Sequence, residues 1–271
     1  MSYLEVPEGR VYYEFYPGTR RTCVVLAHGF GMNCRVWDHT VAVLMDTGFA
    51  VLVYDQRCCG QSDKHFTDVS IATLGDDLVN ICQELNLESI VLNGWSLGGA
   101  IVVDAAAKLE AQLAGLVLTG GATPRYTQAE GFPFGGSAED VAATVAALRA
   151  DRPGFLHGLY YDGVFATEVT EETKAWCLKM ALEESPAGDA ALGALASLDQ
   201  RNIMGALKCP ALIMHGDQDG VVPVDIGRYA AELLEGARLH EMSGCGHAPF
   251  LENKEEYHQQ LLSFLAEVSE G

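Results

Sequence analysis

Apolar residues fall in short continuous runs along the chain: residues 22–27 (TCVVLA), 49–54 (FAVLVY), 89–92, 113–119 (LAGLVLT) and 210–215 (PALIMH), with a weaker run at 237–241. Unbroken runs of this length suit strands covered on both faces of a parallel sheet. Residues 9–16 alternate instead and predict an edge strand. Between the runs the spacing turns helical. Val41, Leu44 and Met45 mark a helix over 37–47, and Leu74, Leu78, Ile81 and Leu85 one over 71–85. Residues 100–113 are alanine-rich, and 226–234 and 255–268 complete the set. Strands alternating with helices predict an α/β fold with a mostly parallel, doubly wound sheet. Residues 122–205 break the alternation. A Gly-Phe-Pro-Phe-Gly-Gly linker at 131–136 leads into helical stretches near 138–149, 170–184 and 187–198. Roughly eighty residues is far more than a crossover needs. The expectation is a core of 1–121 and 206–271 with an inserted helical cap at 122–205.

Candidate chemistry begins at Gly94-Trp95-Ser96-Leu97-Gly98-Gly99. A strand leads into it and a small-residue helix follows, which is the context of a nucleophile elbow. Glycines at 94 and 98 let neighbouring backbone pass close to the turn. A lone Gly-x-Ser-x-Gly is a weak signal, and the plain alternative is an ordinary serine in a turn. Two later loops strengthen it. Asp219 follows the 210–215 run, and His247 lies in the glycine-rich loop Ser243-Gly244-Cys245-Gly246-His247 before the last helix. All three residues fall beyond carboxyl ends of strands, where open parallel sheets form their active sites. His247 would take the Ser96 proton, and Asp219 would orient the imidazole and stabilise its cation. An oxyanion hole would need two backbone donors. Leu97, after the serine, and Phe30, in His28-Gly29-Phe30-Gly31, are the candidates. Asp217, His28 and His215 read as structural loop residues.

These pieces, with Tyr54-Asp55-Gln56-Arg57 and Asp219-Gly220-Val221-Val222-Pro223, resemble an α/β-hydrolase-fold serine hydrolase in order and over nearly the whole chain outside the insert. The elbow and His247-Ala248-Pro249-Phe250 are also similar to carboxylesterases that demethylate pimeloyl-carrier-protein methyl ester, and the chain resembles cofactor-free haloperoxidase-type esterases. The resemblance implies a helical cap over the site, with no cofactor and no metal. One departure is Cys58, where the family usually has glycine after Tyr-Asp-x-Arg. The pocket candidates are Gly29, Met32, Trp95, Phe132, Phe134, Leu159, Tyr160 and Val221, with Phe155, Leu156, Trp176 and Met180 as further ceiling residues. The expected activity is hydrolysis of carboxylic esters of small to medium apolar acyl groups, or of lactones, through an acyl-serine. One alternative is a carbon–carbon hydrolase of the meta-cleavage-product type, needing cationic cap residues such as Arg125, Arg149, Arg152 or Arg201. Others are a cofactor-free perhydrolase and a non-catalytic receptor, the last opposed by the intact Ser96, Asp219 and His247. Serine in place of an aspartate at the elbow disfavours dehalogenase and epoxide hydrolase chemistry.

Composition narrows the partners. The formal net charge of −20 opposes binding to nucleic acid and to anionic membrane surfaces. It also makes an acidic carrier protein a poor electrostatic match, leaving a small-molecule ester as the expected partner. No run approaches the roughly 18 apolar residues of a membrane span, and residues 1–10 carry no apolar signal region, so a cytoplasmic location is expected. The eight cysteines are scattered, which suits reduced thiols rather than a disulfide framework. No zinc spacing occurs. A chain of this size suits a monomer or homodimer.

Overall fold

A computed structural model describes residues 2–269; position 1 and positions 270–271, the outer ends of the two expected core segments, lie outside the described residues. In chain order the elements are β1 (Ser2–Val6), β2 (Gly9–Tyr16), β3 (Cys23–Ala27), α1 (Asp38–Asp46), β4 (Ala50–Tyr54), α2 (Ile71–Glu84), β5 (Ile90–Trp95), α3 (Leu97–Lys108) and β6 (Leu113–Thr119). A largely helical stretch follows, with α4 (Ala138–Ala150), α5 (Arg152–Gly158), α6 (Glu171–Leu182), α7 (Asp189–Ala194) and α8 (Arg201–Ala206). The chain then closes with β7 (Ala211–Gly216), α9 (Val224–Leu233), β8 (Arg238–Met242), α10 (Pro249–Glu252) and α11 (Lys254–Ser269).

The eight strands form one sheet in the order β1-β2-β4-β3-β5-β6-β7-β8. From β4 to β8 every pairing is parallel, and β1 and β2 pair antiparallel at one side. Every residue of β3, β4, β5 and β7 is buried, which is why these strands read as unbroken apolar runs. Their side chains alternate between two cores. Val25, Leu52 and Leu92 pack with residues of α2, α3 and α9. Val24, Leu26 and Val91 pack with residues of α1 and α11.

Three expectations need correction. Residues 9–16 are not the edge strand, because β1 pairs outside them with Leu4 opposite Val11. The tight Pro7-Glu8 turn, with Glu8 at φ +74°, makes the hairpin. Alanine-rich α3 starts at Leu97 and stops at Lys108, short of the expected 113. With no glycine or proline directly after it, the only stop signal is Lys108 in the last turn. Finally, the sequence pattern predicts no helix where α5, α8 and the short α10 lie. The breaker-like Arg152-Pro153-Gly154 opens α5 because proline suits a first helical turn and the Asp151 carboxylate accepts from Gly154 N–H at 3.1 Å.

All eight cysteines are free thiols. Burial raises the proton affinity of each one. Cys58 sits at φ +70°. It therefore adopts the left-handed conformation that a glycine would take without strain.

Candidate active site

Ser96 is the single residue between β5 and α3, and its backbone stands at φ +56°, ψ −121°. An L-residue pays for such a conformation unless its surroundings impose it. Here Ser96 N–H donates to Thr119 O at 3.1 Å, and Ser96 O accepts from Gly99 and Ala122 N–H, both at 2.9 Å. Packing fixes the turn as well. A Cβ at Gly94 would stand 2.3 Å from Gly98 O, and one at Gly98 would stand 2.4 Å from Ala27 O.

The loop between β8 and α10 brings His247 to the same place. Its N–H donates to Val164 O at 2.8 Å, and its carbonyl accepts from Trp95 Nε1 at 2.8 Å. The elbow's own tryptophan thus anchors the histidine loop. On the ring, Nδ1 donates to Asp219 Oδ2 at 2.8 Å. That bond leaves Nε2 as the free lone pair.

Asp219 follows β7 and is buried. Its Oδ1 accepts from Val221 and Val222 N–H, both at 2.8 Å. Burial pushes its carboxyl up, but the His247 and His215 imidazoles beside it outweigh this and hold it well below the usual carboxylate range. The reading of His215 as merely structural needs refinement. Its Nε2 bonds Val222 O at 2.8 Å and lies 3.2 Å from Asp219 Oδ2, so it supports the same carboxylate. Asp217 instead braces a turn, accepting from Gly244 N–H at 2.7 Å.

Phe30 and Leu97 both border the cavity beside Ser96. Among the described residues neither backbone N–H donates to a protein acceptor, and Leu97, as the first residue of α3, has no intrahelical partner. The preceding loop is held by His28. Its Nδ1 donates to Gly29 O at 2.8 Å, and its Nε2 accepts from Gln56 N–H at 3.0 Å.

Ser96 and His247 open onto an apolar cavity of about 90 Å³. Of the expected pocket residues, Gly29, Trp95, Leu159, Tyr160 and Val221 line it, as does Phe155. Met32, Phe132 and Phe134 do not. Met32 is fully buried in the core on the α1 side. Phe132 packs edge-on against Phe134 at 5.2 Å and Tyr229 at 5.1 Å, away from the cavity. Leu156, Trp176 and Met180 belong to packing rather than the cavity wall. Sequence reasoning missed Ala122, Tyr126, Thr144, Val164, Leu192, Leu195 and Val222; Thr144 and Leu192 face the cavity through the way α4 and α7 dock. A second chamber of about 210 Å³ adjoins the first, and Tyr126, Thr144, Leu192 and Val221 line both.

None of the four arginines considered for a carboxylate-bearing substrate lines the cavity. Arg125 and Arg201 pair with Asp199, Arg149 with Asp189, and Arg152 with Glu184 and Asp189. No group of three or more His, Cys, Asp or Glu able to hold a metal ion occurs among the described residues.

A mostly parallel sheet, a serine at positive φ on its elbow and a carboxylate-bonded histidine facing the same cavity define a hydrolase-type scaffold. Residues 22–254 match the model of the alpha/beta hydrolase fold family, and the chain belongs to that family. It is 32% identical over 246 residues to the AB hydrolase superfamily protein YisY of Bacillus subtilis (strain 168), covering 89% of this chain and 90% of the relative. A pimeloyl-acyl-carrier-protein methyl ester esterase of Chromobacterium violaceum is 29% identical, with 89% and 93% covered. Among solved structures, an esterase from Exiguobacterium antarcticum superposes with a TM-score of 0.93 at 28% identity, covering 98% of this chain and 99% of that one.

Proposed function

We propose that this protein is a serine hydrolase that cleaves carboxylic esters of small to medium apolar acyl groups, or lactones, through an acyl-Ser96 intermediate. The observation that carries the reading is that strained Ser96 and His247, itself bonded to buried Asp219, share one apolar cavity. His247 Nε2 takes the Ser96 hydroxyl proton as Oγ attacks the ester carbonyl. The Phe30 and Leu97 N–H groups receive the charge that develops on the carbonyl oxygen. His247 then returns the proton to the departing alkoxide, and the alcohol leaves. Water, deprotonated by the same histidine, attacks the acyl-serine; the acid departs and Ser96 regains its proton. Residues 122–205 serve as the cap that supplies much of the pocket wall. The esterase relatives support this chemistry. The cavity, small against the roughly 300–1,000 Å³ of drug-sized sites, favours short acyl chains. The carbon–carbon hydrolase alternative lacks a cation in the cavity, and the net charge of −20 speaks against an acidic carrier.

The test is hydrolysis of p-nitrophenyl esters from acetate to decanoate, with Ser96→Ala as control. We expect a short-chain optimum and a loss of at least roughly 10⁴-fold in the variant. A folded Ser96→Ala protein that keeps its turnover would refute the mechanism.

A further inference from the structure

One carboxylate near the site has more partners than any capping role requires. Glu252 ends the one-turn α10, five residues after His247. Its Oε2 accepts from Ala166 N–H at 2.9 Å, Thr167 N–H at 3.0 Å and Thr167 Oγ1 at 3.2 Å. Gly246 N–H lies 2.9 Å from both carboxylate oxygens, and Oε1 also accepts from Ala248 N–H at 3.2 Å. Every partner is a donor, so both oxygens must accept. The partners come from two separate segments. Gly246 and Ala248 flank His247. Ala166 and Thr167 follow Val164, which lines the cavity and accepts the His247 N–H. The two backbones are in direct contact there. A Cβ on Gly246 would stand 2.6 Å from Val164 O and 2.7 Å from Ala166 N.

We propose that Glu252 is a positioning residue. It locks the histidine loop to the cavity wall at 164–167, so that wall and base hold one fixed relation. The proposal rests on the hydrolase reading, because it gives the loop a base to position. Ring position is set at Nδ1 by Asp219 and at the backbone by Val164 and Trp95; Glu252 holds the backbone on either side of the ring. Displacement of a reacting group by about 1 Å can cost on the order of 100-fold in rate, so the lock acts on turnover more than on binding.

The test compares the full-length wild type with Glu252→Gln and Thr167→Val, using p-nitrophenyl butyrate. Each preparation is normalised by titrating Ser96 with a fluorophosphonate. Glutamine has one acceptor oxygen and turns an NH₂ toward backbone N–H donors, so at least two contacts become donor facing donor. We expect kcat per labelled site to fall roughly ten- to hundredfold, with KM within about threefold of wild type. Thr167→Val removes only the hydroxyl contact and should lower kcat by about threefold, and the double variant should lose less than the two effects combined, as residues of one network do. Unchanged kcat per labelled site in Glu252→Gln, or a change confined to KM, would overturn the proposal. Should Glu252→Gln fail to fold, unchanged kcat in Thr167→Val would overturn it equally. A wild-type chain that the fluorophosphonate leaves unlabelled at Ser96 would bring down the hydrolase reading, and this proposal with it.

Discussion

Holding a serine at φ +56° costs on the order of 1–3 kcal/mol. Three backbone hydrogen bonds and the close approach of Gly98 to Ala27 offset that cost and leave the hydroxyl facing the cavity. Ser96, Asp219 and His247 were legible in the sequence because each sits in a short turn with glycine neighbours, where residue type and spacing carry the signal. Glu252 and His215 were not. Their partners are backbone amides or a side chain brought near by folding, and no spacing rule encodes them. The cavity wall was half legible for the same reason. Trp95 and Gly29 lie within recognisable motifs, whereas Leu192 and Thr144 face the cavity only through the docking of α4 and α7. Leu192 stands between the two chambers. Leu192→Ala should merge them and move the p-nitrophenyl ester optimum from butanoate toward octanoate. An unshifted chain-length profile in a folded variant would count against a partition at this residue.

At the level of elements, a buried cluster of one arginine and two acidic side chains ties the helices between β6 and β7 together. Arg152 at the start of α5 pairs with Glu184, just after α6, and with Asp189 at the start of α7, each at 2.6 Å. Both carboxylates are almost wholly buried. Burial, with help from Asp189 and against the pull of Arg152, pushes Glu184 from 4.5 up to about 8. The folded protein therefore keeps a proton there that the unfolded chain releases above about pH 4.5. Stability must fall as pH rises toward 8. His28 and His258, both pushed down by burial, add stability as pH rises to about 6.5, and near pH 8 the unfolded chain's cysteines begin to lose protons that the buried thiols keep, so the window that isolates Glu184 runs from about pH 6.5 to 7.5. Denaturant unfolding should show a loss of about 1 kcal/mol across that window and a flatter curve for Glu184→Gln. Equal slopes for both proteins would rule out Glu184 as the source. The elements themselves were legible where burial is two-sided, as in β3, β4, β5 and β7. They were obscure where a local exception governs, as with the hairpin that adds β1 and the proline that opens α5.

Across the whole molecule, 37 acidic residues face 17 basic ones. A compact chain with this imbalance repels itself. Raising the ionic strength from 0.1 to 1 M shortens the screening length from about 10 to about 3 Å. The melting temperature should therefore climb by a few degrees between 0.1 and 1 M NaCl, followed by calorimetry. A flat or falling Tm would mean that paired surface charges, such as Arg228 with Glu241 and Asp225, already neutralise the field. No helix among the described residues is long and apolar enough to cross a membrane.

The buried thiols have a practical consequence. A thiolate, not a thiol, reacts with maleimides and iodoacetamides. Seven of the eight cysteines are buried, and half-buried Cys209 is pushed up to about 11. At neutral pH the native surface is thus chemically quiet toward such reagents. A single cysteine placed at an exposed position, for instance Leu182→Cys, would become the one handle for a fluorophore, a spin label or a solid support, with no native cysteine to remove first.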